Sequence, residues 1–300
     1  MDSIRIAAVG LGESFQKIHL PIIRNLPMFD LVKVHDIDSE HAKQIAAQID
    51  SEHADSLQSV FSDKSIQGIV VSTPPYAQLQ ISIQAMEASK YVLCEKPLGF
   101  GSIVIEPSDY KLFPFLPYLD SEICSQILNL SANDPVKGIN IIFGHSGVGV
   151  SWKPRANWYL DRNISGGGVL LDLGSHLLPL LPLLNIDLFE FEKQQNKKDV
   201  ETDAVLTKLG FCLKFSWELE RSSEVMSIEQ ESGSSILVDF RAGVLVHPQI
   251  QMCVPTAAYG IRSYVLWAQA ILGIPSAVEW TLSKVSAVSQ VRDWLLATTK

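Results

Sequence analysis

Ile4-Arg5-Ile6-Ala7-Ala8-Val9, followed at once by Gly10-Leu11-Gly12-Glu13-Ser14-Phe15, is the stretch on which the reading of this chain turns. The first six residues carry the apolar, β-rich pattern of a strand, and Phe15, Ile18, Ile22, Ile23 and Leu26 then fall near helical spacing. A glycine-rich turn between a strand and a helix lets backbone N–H groups approach a pyrophosphate at the helix N-terminus. Asp36 ends a second strand-like run, Leu31–His35, a little past the spacing of about 20 residues at which a carboxylate meets a ribose diol in such units. A carboxylate there also repels a 2′-phosphate. The expectation is therefore a dinucleotide site on Gly10, Leu11, Gly12, Glu13, Ser14, Phe15 and Asp36, with NAD(H) preferred and NADP(H) the alternative. Phe15 departs from the third small residue of such turns, and Glu13 brings a negative charge beside the phosphates. An ordinary strand-to-helix turn that contains two glycines is the alternative at this point.

Working outward, short β-branched runs alternate with helical patterns through the first third of the chain, the signature of a parallel sheet with crossover helices. Ser39–Gln48 reads as a helix, Gly68–Thr73 as a central strand stopped by Pro74-Pro75, Gln78–Ser89 as a helix, and Tyr91–Cys94 as a strand ended by Glu95-Lys96-Pro97. Ile103–Ile105 reads as a short strand, and Tyr110–Leu130 mixes aromatics, prolines and helical spacing. The second half holds strand-like, often alternating runs at Gly138–Phe143, Asp203–Trp217 and Val225–Phe240, with helical segments at Val169–Leu184 and twice between Tyr259 and Thr299. The fold class expected is α/β: an N-terminal Rossmann domain, residues 1–118, and a C-terminal α/β domain on an open, largely antiparallel sheet, residues 119–300.

Composition narrows the function classes. Three hundred residues suit two domains of about 150 each, and 47% hydrophobic residues with a mean hydropathy of +0.16 provide ample core. With 24 basic against 33 acidic residues the net charge is -9; Lys197-Lys198 is a short run, so a nucleic-acid or anionic-membrane partner has no electrostatic footprint. The apolar run Val169–Leu184 carries Asp172, His176 and two prolines and is shorter than the roughly 20 residues of a spanning helix. The N-terminus reads as lacking an export signal. Cys94, Cys124, Cys212 and Cys253 form no C-x-x-C pair, so no metal site is expected, and reduced thiols in a cytoplasmic protein are.

Five elements occur in one order: Gly10-x-Gly12, His19-Leu20-Pro21, Ser72-Thr73-Pro74-Pro75, Glu95-Lys96-Pro97-Leu98, and Ser165-Gly166-Gly167-Gly168-x-x-x-Asp172-x-Gly174-x-His176. Together they resemble the glucose-fructose oxidoreductase / inositol dehydrogenase (Gfo/Idh/MocA) family. The resemblance implies a Rossmann domain followed by an α/β domain whose sheet often forms a subunit interface, hence a homo-oligomer, dimer or tetramer. It implies a nicotinamide-dependent oxidoreductase acting on a carbinol or carbonyl of a sugar, cyclitol or similar small molecule. Ser72, Thr73, Pro74, Pro75, Glu95 and Lys96 join the cofactor residues on this basis, and Pro97 follows a cis bond in the family.

Lys96, Asp172 and His176 match the family's catalytic positions, and their chemistry is sensible in its own right. Oxidising a secondary alcohol requires the hydroxyl proton to leave, which a group titrating near working pH does best, so His176 is the natural acceptor. Asp172 lies four residues earlier, on the same face of a helix, where it can orient the ring. Lys96 follows a strand at the carboxyl edge, where an ammonium can hydrogen-bond the substrate oxygen. Tyr110, Lys153, Arg155, Trp158 and Asp161 are the further substrate-contact candidates. Gln78 and Pro179 replace a histidine and an acid common in relatives, which implies fewer titratable groups in the pocket. A helix common after the Glu-Lys-Pro motif is missing here. A reductase of a non-sugar ketone or imine and a non-catalytic nucleotide-binding sensor remain the alternatives.

Overall fold

The computed structural model describes residues 3–99, 110–147, 160–196 and 200–298. These fall into two compact units: Met1–Phe115 with Gly260–Val285, and Leu116–Tyr259 with Ser286–Lys300. A single cut after residue 118 therefore does not describe the chain, because part of the C-terminal helices returns to the first unit.

The first unit holds β1 (Ile4–Val9), β2 (Phe29–His35), β3 (Glu52–His53), β4 (Gly68–Val71), β5 (Tyr91–Glu95) and β6 (Leu112–Phe115). They pair in parallel in the order β3-β2-β1-β4-β5-β6, the arrangement of a Rossmann sheet. β4 is buried along its whole length, as its unbroken apolar run implies. Local chemistry sets the helices between strands: Asp38 caps Ser39–Ile49 by accepting from the His41 N–H at 3.0 Å, and Pro75 opens Pro75–Glu87, where its missing N–H costs nothing. β6 was not expected from Leu112-Phe113-Pro114-Phe115, since proline argues against a strand. It is tolerated because β6 lies at the sheet edge.

The returning helix Ala257–Ile271 supplies Tyr264 and Trp267 to this core, where Trp267 stacks on Phe29 with centroids 5.5 Å apart. A Cβ at Gly68 would lie 2.7 Å from the Trp267 ring, so the start of β4 must be glycine for that indole to seat. The expected strand Ile103–Ile105 lies outside the described residues.

The second unit is a sheet of β7 (Val136–Ser146), β8 (Glu192–Gln195), β9 (Asp203–Lys208), β10 (Phe211–Ser216), β11 (Glu218–Gln230), β12 (Ser235–Asp239), β13 (Val244–His247) and β14 (Ile250–Cys253). Its order is β14-β13-β12-β11-β7-β10-β9-β8. Among the described residues only β7 and β10 pair in parallel, so the sheet is mixed and mostly antiparallel. Alternation directs Ile236 and Val238 of β12 inward and leaves Leu237 outward beside Val246 of β13, while Ile142 pairs Val225 on the same outer side. The helical run Arg162–Leu183 is long and apolar enough to cross a membrane by composition, yet 72% of its apolar window is buried inside the protein.

Candidate active site

Every strand of the first unit runs the same way, so the residues after β1, β2, β4 and β5 gather at one edge of the sheet. Gly10 leaves β1 with φ +84°, and a Cβ there would stand 2.7 Å from the Ser72 carbonyl oxygen. Leu11 is clamped from two sides. Its N–H donates to Asp36 Oδ2 at 2.7 Å, and its carbonyl accepts from Gln16 Nε2 at 2.8 Å and His41 Nε2 at 3.1 Å. A Cβ at Gly12 would meet nothing within 4 Å, so the turn keeps a bare, accessible backbone at that position.

The two departures in this turn have local solutions. Phe15 is fully buried and packs into the core from a π-helical first turn, Phe15–His19, instead of facing the ligand side. Glu13 pairs with Lys17 at 2.8 Å, one helical turn on, which offsets its charge. At the end of β4, Ser72 Oγ and Thr73 Oγ1 are buried hydroxyls with no hydrogen-bond partner among the described residues. Asp36 spends one lone pair of each oxygen on the N–H groups of Leu11 and Asp38 and retains others for a ligand. A free glycine backbone, two unsatisfied hydroxyls and a carboxylate at one edge are the groups a dinucleotide requires, and the residues present fit it.

Glu95 ties this turn to Lys96. Its Oε1 accepts from Ser14 Oγ at 2.6 Å and from His19 Nε2 at 3.0 Å, its Oε2 accepts from the Lys96 N–H at 3.2 Å, and His19 Nδ1 meets Tyr264 Oη at 2.9 Å. Burial pushes this carboxyl up, but the His19 hydrogen bond and charge, the Ser14 hydroxyl and Lys96 outweigh it and hold it at about 2 against an ordinary 4.5. A carboxyl held low in the fold stabilises the protein fully above its unfolded value, and that contribution is lost as pH falls toward the folded value. Glu95→Gln is therefore expected to lower stability at pH 7 by about 2 kcal/mol. By scanning calorimetry, the difference in Tm from the parent should shrink as pH drops from about 4.5 to about 2.

The Lys96–Pro97 peptide is cis, as the motif implied. Lys96 is half-buried at the carboxyl end of β5. Tyr110 is placed elsewhere. It packs on Tyr91, centroids 6.0 Å apart, where β5 begins, which is the opposite edge of a parallel sheet from Lys96. Gln78 is 2% exposed, and among the described residues its side chain bonds the backbone of Thr73, Lys96 and Gly99.

In the second unit the glycine run is explained by Glu201. Its backbone carbonyl accepts from the Val169 N–H at 2.8 Å and its Oε1 from the Gly168 N–H at 3.1 Å, capping the first turn of the helix that follows. Any Cβ at Gly168 would overlap the Glu201 backbone. The helix continues as a π-helical stretch, Leu170–Gly174, into Ser175–Leu177 with unbroken right-handed dihedrals at Val169, Gly174, Ser175 and Leu178. Asp172 and His176 thus share one helical path, both half-buried. Trp217 Nε1 donates to Asp172 Oδ2 at 3.2 Å. The Tyr118 ring stands edge-to-face on His176 at 5.3 Å and donates its hydroxyl to Glu224 Oε2 at 2.9 Å. Burial, with Glu224 adding to it, pushes the Tyr118 hydroxyl far up, so it stays a donor.

Asp161 caps the short helix Arg162–Ser165 by accepting from the Asn163 N–H at 2.9 Å, so its carboxylate has a structural task. Lys153, Arg155 and Trp158 lie outside the described residues. His19, Tyr264, Glu201, Trp217 and Tyr118 escaped sequence reasoning as supporting groups. Only His19 carried a signal, as a histidine turned into a core-facing helix beside Leu20-Pro21.

Residues 4–103 match the family model GFO_IDH_MocA, described as an oxidoreductase family with an NAD-binding Rossmann fold. Among curated relatives, the scyllo-inositol 2-dehydrogenase (NADP(+)) IolW of Bacillus subtilis is 22% identical over 184 residues, 59% of this chain and 51% of that protein. The chain spans about half the length of the curated relatives it matches. UDP-N-acetylglucosamine 3-dehydrogenase GnnA from Acidithiobacillus ferrooxidans superposes with a TM-score of 0.72 at 17% identity, covering 100% of both chains. GenD2 from gentamicin A biosynthesis, in complex with NAD, gives 0.74 at 18% identity over 98% of this chain and 93% of that one. At such identities the structural likeness shows the fold.

Proposed function

Since residues 4–103 match the model of an oxidoreductase family with an NAD-binding Rossmann fold, we propose that the chain is a Gfo/Idh/MocA oxidoreductase that interconverts a carbinol and a carbonyl on a sugar, cyclitol or similar polar metabolite, with NAD(H) as its preferred cofactor. The observation that carries this reading is the carboxyl edge of the first sheet: a bare Gly12 backbone, orphaned Ser72 and Thr73 hydroxyls, and Lys96 joined to the turn through Glu95 and Ser14.

When bound, a nicotinamide would take the hydride that oxidation of a carbinol to a carbonyl releases, and His176 would take the hydroxyl proton. Nδ1 of His176 is buried, so Nε2 takes the proton. Asp172, which accepts from Trp217 Nε1 and lies four residues before His176 on the same helical path, is the carboxylate we assign to support the histidine. Lys96 donates a hydrogen bond to the oxygen as negative charge builds there. Gly12 would present its bare backbone to the phosphates, in a turn that Leu11 and Ser14 hold through Asp36 and Glu95, and Asp36 would keep its remaining lone pairs for the ribose.

The test is titration of the purified protein with NADH and NADPH by fluorescence, then turnover with scyllo-inositol, myo-inositol and UDP-N-acetylglucosamine. NADH is expected to bind at least about tenfold more tightly than NADPH, because Asp36 opposes a 2′-phosphate, a difference of about 1.4 kcal/mol. Asp36→Asn should narrow the gap; equal affinity in the parent protein would remove the cofactor assignment. Nucleotide binding without turnover on any polyol or ketone would favour a sensor.

We further assign the chain to the cytoplasm, since its four cysteines are free thiols. The outer sheet face with Ile142, Val225, Leu237 and Val246 supports a homo-oligomer. Sedimentation as a monomer at micromolar concentration would remove that assignment.

A further inference from the structure

We infer that Gln78 is the positioning residue for Lys96, fixing it in one frame with the cofactor-side segment Ser72-Thr73; this rests on the reading of Lys96 as a group beside bound nicotinamide. Gln78 lies one turn into the helix Pro75–Glu87 and is buried. Its Nε2 donates to the Thr73 carbonyl at 3.0 Å and to the Lys96 carbonyl at 3.1 Å, and its Oε1 accepts from the Gly99 N–H at 2.9 Å. Two carbonyls and one N–H admit a single orientation of the amide.

The segment it holds does not sit at rest by itself. Past Pro97 the backbone enters the left-handed region at Leu98, φ 67°, and stays there at Gly99, φ 74°. A leucine with that φ is sustained by its surroundings. The Gly99 bond to Gln78 is one such restraint. A Cβ on Gly99 would come within 3.0 Å of the Pro75 carbonyl oxygen, so the same helix presses on the segment from beside Gln78. Lys96 is thereby held at both ends of its own peptide unit, its N–H by Glu95 and its C=O by Gln78. The glycine turn depends on neither, being clamped by Asp36, Gln16 and His41. Loss of Gln78 therefore frees Lys96 while leaving the glycine turn and Asp36 in place, so that nucleotide still binds and loses only what the Thr73 anchor contributes. A carboxylate cannot replace the amide, because it would face two carbonyls with no proton to give.

The experiment reads Lys96 directly. Holding the protein with and without saturating NADH, lysines are acetylated by sulfo-N-hydroxysuccinimide acetate and the Lys96 and Lys137 peptides are quantified by mass spectrometry. In the parent protein NADH should slow Lys96 acetylation at least about fivefold. Gln78→Ala and the near-isosteric Gln78→Glu should bind NADH within about threefold of the parent by fluorescence, yet show less than about twofold protection of Lys96. The exposed Lys137 of the second unit should be acetylated at the parent's rate in both, which a general loss of structure would alter. Full protection of Lys96 in both variants would overturn the inference. So would loss of NADH binding in both, because it would assign Gln78 to the nucleotide site. Absence of protection in the parent protein, with NADH bound, would bring down the reading of Lys96 itself.

Discussion

His176→Ala is expected to lower turnover by about 10² to 10⁴-fold, the range that a positioned acid–base group contributes. Its cost to the fold should be small. The half-buried ring makes an edge-to-face contact with Tyr118 at 5.3 Å and a tilted one with Phe143 at 6.0 Å, and such pairs contribute about 0.5–1.5 kcal/mol each. NADH affinity should stay within about twofold, since the residues proposed to hold the nucleotide belong to the first unit. Steady-state NADH absorbance with the polyol panel, fluorescence titration and calorimetric Tm check the three parts separately. Unchanged turnover in this variant would remove His176 from the chemistry. Asp172→Asn should lose less than His176→Ala, because the amide oxygen can still accept from Trp217 Nε1 and the histidine remains.

Gly10→Ala and Gly12→Ala should differ sharply despite standing two residues apart. At Gly10 the φ of +84° is one that alanine resists, and the new Cβ would meet the Ser72 carbonyl oxygen at 2.7 Å and carbon at 2.8 Å. Backbone cannot give way as a side chain does, so a loss of about 3 kcal/mol or more is expected. NADH binding should disappear with the displaced Ser72. At Gly12 no atom lies within 4 Å of the new Cβ, so Tm should change by less than about 1–2 °C while NADH affinity falls at least about tenfold. Equal Tm for the two variants would contradict the packing of Gly10 against β4. Unchanged affinity in Gly12→Ala would show that the phosphates do not approach there.

The parts of the candidate site legible in the sequence were those whose meaning is local. Gly10, Gly12 and Asp36 declare themselves by sitting at the ends of strands that their neighbours specify. Asp172 and His176 were picked out by the motif's resemblance, and their four-residue spacing lies on one helical path although the first turn of that run is π-helical. Tyr110 misled because its order in the chain says nothing about sheet direction: β6 is parallel to β5, so a residue preceding it lands at the wrong edge. Asp161 shows the limit of local reading differently: an aspartate ahead of a short helix serves as a cap, through one oxygen, whether or not it also meets a ligand.

Sequence alone determined that the first third alternates parallel strands with helices, the glycine turn after β1 and the carboxylate after β2, because strand alternation, helical period and turn chemistry act over a few residues; Lys96, Asp172 and His176 were singled out by the resemblance of their motifs to a family. Tertiary structure decided what holds them. Gln78 reaches Lys96 across 18 residues, Glu201 caps Gly168 across 33, and Tyr264 meets His19 across 245. Such partners are chosen by which buried polar groups would otherwise be left without a hydrogen bond once the core has closed. No local pattern encodes that condition, since it exists only when distant segments are packed together.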